Sequence, residues 1–94
     1  MHARVVRFTD VTPERIAAVV QRVEEAGGPP PGVESTRMQL LVDEEHGTAV
    51  FVGFFEDEQK LREGSAILEQ MDTGETPGTR ASVDLCEVKI ERSA

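Results

Sequence analysis

The chain has 94 residues, 18 acidic and 10 basic, with a formal charge of -8, and its basic groups are scattered rather than clustered. Duplex or single-stranded nucleic acid needs positive potential to displace counterions, and an anionic membrane needs it too, so composition speaks against both partners. The length fits one domain with one core. No stretch approaches the ~20 apolar residues of a membrane span, and the opening MHARVVRFTD lacks a signal-peptide apolar run. One cysteine leaves no internal disulfide, and Arg outnumbers Lys eight to two; together these features fit a cytoplasmic protein of GC-rich, bacterial origin.

ARVVRF (Ala3 to Phe8) predicts a first strand. Thr12-Pro13-Glu14 supplies an N-cap, a proline where no N–H is needed and an acid at the positive end of the dipole. Ile16, Val19, Val20 and Val23 continue at i, i+3, i+4 and i+7, a one-sided amphipathic helix. Gly27-Gly28 closes it, and the stiff PPPG loop (Pro29 to Gly32) leads onward. TRMQLLVD (Thr36 to Asp43) predicts a second strand, with Met38, Leu40 and Val42 opposite Arg37, Gln39 and Leu41 in their direction. EEHG then opens a hairpin into TAVFVGFFE, with Gly47 free for positive φ. Asp57 caps a second helix bearing Leu61, Gly64, Ile67, Leu68 and Met71. DTGETPGT (Asp72 to Thr79) reads as a loop, and SVDLCEVKIE (Ser82 to Glu91) as a fourth strand.

The two halves correspond. Phe8-Thr9-Asp10 precedes the first helix as Phe55-Glu56-Asp57 precedes the second, and Pro31-Gly32 precedes strand two as Pro77-Gly78 precedes strand four. The order β-α-β-β-α-β predicts an α+β, ferredoxin-like domain over residues 1–94, a four-stranded antiparallel sheet with both helices on one face. By the repeat, Cys86 lies eight residues after its glycine as Leu40 does, which predicts a core-facing thiol.

Two helices leave one sheet face bare, yet strand three is apolar on both sides: Val50, Val52 and Phe54 on one, Phe51 and Phe55 on the other. One of these sets is core and the other is left for a partner. Periodicity does not choose between them, nor between Arg4-Val6-Phe8 and Ala3-Val5-Arg7 in strand one. An exposed patch of this kind is unusual on a monomer, and a second copy of the same sheet is its simplest cover.

ARVVRF, the capped helix, PPG before TRMQLLVD, the hairpin HGTAVFVGFFED, the short helix and the closing TPGTRASVDLCEVKI resemble the antibiotic biosynthesis monooxygenase-like (ABM-like) group over nearly the whole chain. The resemblance implies a dimeric α+β barrel, a homodimer with its sheets face to face and pockets for small organic molecules between sheet and helices. That group includes cofactor-independent oxygenases of polycyclic aromatic compounds and haem-degrading enzymes, which rely on Asn, Trp, Tyr or a helix-borne His. Asn, Trp and Tyr are missing here, and His2 and His46 lie off the helices, so no family catalytic residue carries over.

No catalytic, cofactor-binding or metal-ligating set is assigned, and no cofactor is expected. Cys86, flanked by acids, reads as apolar filler, and DEEHG (Asp43 to Gly47) as a solvated turn rather than a metal site. PPPG and TPG lack the free N–H groups of a phosphate cradle. Gly64 leaves room either for a ligand or for close helix packing. The ligand-pocket candidates are Arg37, Gln39, Phe51, Gly64 and Glu87. The function expected is a homodimer that binds a small apolar organic molecule. The alternatives are a cofactor-independent monooxygenase or isomerase acting on an aromatic, polyketide-type substrate, and a purely structural subunit.

Overall fold

Local chemistry places the element boundaries near those the sequence predicts. Thr12 stays extended and its Oγ1 accepts from the Arg15 N–H at 3.3 Å, so α1 (Pro13–Ala26) starts with proline in its first turn. Gly27 ends that helix in the left-handed region (φ 71°), donating its N–H to the Val23 carbonyl. Asp57 caps α2 (Glu58–Gln70) by accepting from the Lys60 N–H at 2.8 Å. The computed structural model describes residues 1–71 and 76–93, so part of the DTGETPGT segment lies outside the described residues.

The strands are β1 (His2–Thr9), β2 (Arg37–Asp43), β3 (Thr48–Phe55) and β4 (Thr79–Glu87), in the antiparallel order β2-β3-β1-β4. This is the ferredoxin-like arrangement. The β2–β3 link turns at Gly47 (φ 63°), whose carbonyl accepts from the Val11 N–H and so ties the hairpin to the entry of α1. No helix among the described residues is long and apolar enough to cross a membrane.

Register decides the faces. Val6, Phe8 and Ala49 form one buried cluster against which Val11, Ile16, Leu40, Phe51 and Val83 pack; Val33, Phe55 and Leu61 form another, joined by Ile67 and Leu68. Arg4-Val6-Phe8, Phe51-Phe55 and Met38-Leu40-Val42 therefore point to the helices. The intervening side chains, Ala3, Val5, Val50, Val52 and Phe54 among them, line the opposite, open face. Phe55 is completely buried, and Gly64 lets it in: a Cβ on Gly64 would stand 2.8 Å from the Phe55 ring. Gly78 is tighter still, since its Cβ would collide with the Thr9 carbonyl.

The fourth strand departs from the repeat. Arg7 pairs with Ser82 but Phe8 pairs with Arg80, so Ala81 is one residue too many and forms a β-bulge. An extra residue sends every later side chain to the other face. Arg80, before the bulge, reaches α2; Cys86, after it, lies opposite Ala3 on the open face and is half-buried. The core position expected for Cys86 by analogy with Leu40 is thus corrected: Val83 and Leu85 take the helix side instead. β4 also stops at Glu87, short of the predicted Glu91, and Ile90 is 73% exposed.

Candidate functional site

Three features of the folded chain could serve a function: an ion-pair cluster under α2, a set of exposed apolar side chains beside α1, and the open sheet face.

The cluster begins with Arg4. Its alternation with Val6 and Phe8 carries it to the helix side of β1, where its side chain is only 10% exposed. A buried guanidinium needs acceptors, and α2 supplies two from one face at i and i+4. Arg4 Nε donates to Ser65 Oγ at 3.1 Å, and Arg4 Nη2 to Glu69 Oε1 at 2.8 Å. Arg80 donates to the same Glu69 oxygen at 2.7 Å. The Glu69 carboxyl is held below its ordinary pKa, first by the hydrogen bond from Arg80 and then by that from Arg4, with partial burial opposing both. With two cations locking its carboxylate, Glu69 is poorly suited to act as a base and well suited to hold α2 on the sheet. At the start of the same strand face, His2 Nδ1 is buried with no hydrogen-bond partner among the described residues.

The two helices sit differently on the sheet. α2 approaches β1, β3 and β4 closely, whereas no Cα of α1 comes within 8 Å of a strand Cα. Ile16 on α1 and Leu40 on β2 pack on the cluster of Val6, Phe8 and Ala49, so α1 meets the sheet through side chains of β1 and β3. Val20, one turn beyond Ile16, remains 40% exposed, and Met38 and Val42, flanking Leu40, 44% and 36%. These three apolar side chains are left partly open to solvent.

On the open face, Phe54 lies under the Arg37 guanidinium, 5.7 Å from ring centroid to Cζ. Leu41 is 54% exposed, and Val5, Val50, Val52 and Phe54 are each partly exposed.

The five sequence-derived pocket candidates do not converge. Arg37 and Gln39 lie on the open face. Phe51 belongs to the core, Gly64 is occupied by Phe55, and Glu87 sits on the helix side of β4, exposed and 3.2 Å from Lys89. Of the five residues weighed as core or dimer face, Val50, Val52 and Phe54 line the open face and Phe51 and Phe55 the core. At the hairpin tip, Asp43 accepts from the His46 N–H at 3.2 Å and lies 2.7 Å from His46 Nδ1, a local turn exposed to solvent.

Sequence reading missed the Arg4–Ser65–Glu69–Arg80 cluster and the exposed apolar set beside α1. The first had a signal, an arginine in a strand otherwise apolar on that face together with Ser65 and Glu69 one helical turn apart. The second had none, since Val20, Met38 and Val42 each fit an ordinary core pattern. No protein-family model matches the chain, and no curated protein matches it in sequence.

Proposed function

We propose that the protein is a homodimer of the ABM-like kind that binds a small apolar organic molecule beside α1 on the helix side of β2. The observation that carries this reading is the exposed apolar set beside α1: Met38 and Val42 on the helix side of β2, and Val20 on α1, are each more than a third exposed. Side chains facing a helix are ordinarily closed over by it. An apolar surface with few polar groups suits hydrocarbon or aromatic ligands, whose burial contributes about 25 cal/mol per Å². The open face supports the dimer, because a two-stranded apolar centre rimmed by charges is a self-complementary surface in the making. The lone Cys86 suits a reducing cytoplasm.

The test is a titration with the apolar fluorophore N-phenyl-1-naphthylamine, alongside native mass spectrometry of freshly purified protein. Saturable binding that Met38→Asp abolishes supports this site, and a co-purified mass on a dimer would identify the natural ligand. Probe binding unchanged by Met38→Asp places the ligand elsewhere or nowhere.

A further inference from the structure

The two edges of the sheet differ. β4 is interrupted by the bulge at Ala81, a feature that discourages pairing with another chain. β2, at the opposite edge, runs unbroken over Arg37–Asp43 (RMQLLVD) with no proline, glycine or lysine. Its inner side pairs with β3, and no backbone group among the described residues pairs with its outer side. Leu41, Met38 and Val42 are all exposed along it. An edge of this kind is a template for one more strand.

RMQLLVD is complementary to itself. Laid antiparallel on a second copy about a two-fold axis through Leu40, perpendicular to the sheet, it sets Arg37 opposite Asp43, Met38 opposite Val42, Gln39 opposite Leu41 and Leu40 opposite Leu40. Each pair joins positions an even number of residues apart, so the helix sides of both sheets fall together and the open faces fall together. An opposite-charge pair closes both ends, and Met38, Leu40 and Val42 meet apolar partners between them. Slipping the register by one residue sets open-face side chains against helix-side ones. Slipping it by two sets Arg37 against Leu41 in one direction and Asp43 against Gln39 in the other. Asp43 already takes the His46 contact in its own turn, and a carboxylate has acceptor capacity for a guanidinium besides.

We infer that β2 pairs with β2 of a second copy in this register, joining two four-stranded sheets into one continuous sheet across a two-fold axis at Leu40. The contact is made by the backbone edge, not the open face, and it stands independently of the face-to-face dimer. On the helix side it sets the second copy's Val42 and Met38 beside Met38 and Val42. The apolar surface assigned to the ligand then continues across the junction, a step that rests on the reading above.

The test is cross-linking in chains whose native thiol is removed by Cys86→Ser. Opposite residues of paired antiparallel strands stand about 4.5–5.5 Å apart at Cα, within disulfide reach. Positions 38 and 42 of one chain lie about 13 Å apart along the strand, out of that reach. Met38→Cys/Val42→Cys is therefore expected to form a covalent dimer in a glutathione redox buffer. Met38→Cys or Val42→Cys alone has no cysteine opposite it and should cross-link about 10-fold less. Both positions are exposed, and circular dichroism checks that each variant folds. Sedimentation equilibrium gives a second reading: Arg37→Asp is expected to weaken the edge contact by about 5-fold and Arg37→Asp/Asp43→Arg to recover most of the loss. A double-cysteine chain that stays monomeric by denatured mass, single cysteines that cross-link as readily as the pair, or a charge exchange no better than Arg37→Asp overturns the edge pairing. A native dimer without the cross-link overturns it too and leaves the face-to-face reading standing. A cross-linked chain that binds no N-phenyl-1-naphthylamine supports the pairing and removes only the ligand.

Discussion

Arg4 Nη2 donates to Glu69 Oε1 at 2.8 Å, joining the strand beneath the helices to the last turn of α2. That oxygen also takes the Arg80 hydrogen bond, so one carboxylate anchors β1, α2 and β4 together. Removing it leaves Arg4 buried with Ser65 as its one remaining side-chain acceptor among these contacts. Glu69→Ala is expected to destabilise by about 1–3 kcal/mol, the range for stranding a buried polar group, and toward the lower end because Glu69 itself is 42% exposed. Arg4→Met/Glu69→Ala should be more stable than Glu69→Ala alone, since no buried charge remains. Urea denaturation decides; a Glu69→Ala loss indistinguishable from that of an ordinary surface substitution would mean the contact carries no weight.

The same carboxylate makes stability depend on pH with a definite sign. Its folded pKa lies below the ordinary value of 4.5, so its contribution is complete above that value and declines as pH falls through the folded pKa. The wild-type chain should therefore lose stability more steeply below the ordinary carboxyl value than Glu69→Gln does. Parallel acid titrations of the urea midpoint measure the difference, and superimposable slopes would contradict it.

Phe54 and Phe55 are adjacent in sequence and opposite in role. Phe55 is fully buried between Val33, Leu61 and Gly64, so Phe55→Ala is expected to cost about 3–5 kcal/mol. Phe54 lies on the open face, and Phe54→Ala should cost much less than Phe55→Ala; if the proposed dimer forms through this face, it also weakens self-association. Thermal melts at several protein concentrations separate the two effects.

Gly64 is the complementary case. Alanine in a helix interior ordinarily gains about 1 kcal/mol over glycine, but here its methyl would meet the Phe55 ring at 2.8 Å. Gly64→Ala is expected to be net destabilising through overpacking, by about 1–3 kcal/mol. Gly64→Ala/Phe55→Leu should restore part of that loss. A Gly64→Ala chain more stable than wild type would show that the space is open after all.

Element order, caps and the hairpin turn were legible because each rests on a local rule: Thr12 and Asp57 bind the first N–H groups of their helices, and Gly27 and Gly47 take the positive φ that favours glycine. Which face of each strand is buried was not legible in β1 and β3, whose apolar residues occur on both sides; only the pairing of Val6 with Phe51 and Val83 resolves it. The repeat misled at Cys86 because a bulge has no composition signal, and Ala81 could sit equally well in an unbroken ladder. The candidate site was the least legible part. A shared strand face suggests Arg37 with Gln39, and room in a helix suggests Gly64, but the fold sends these, with Phe51 and Glu87, to different layers.

The extra residue at Ala81 also bears on solubility. With an unbroken ladder, Val83 and Leu85 would lie on the open face beside Val5 and Ala3, and hydrocarbon would run to the outer edge of β4. An apolar edge strand is a template for uncontrolled pairing with other chains. The bulge turns Ser82, Asp84 and Cys86 outward in their place, so the apolar patch ends before the edge and a newly made chain presents an acidic border to its neighbours. One residue too many in a strand thus helps keep a sticky face from joining sheets edge to edge.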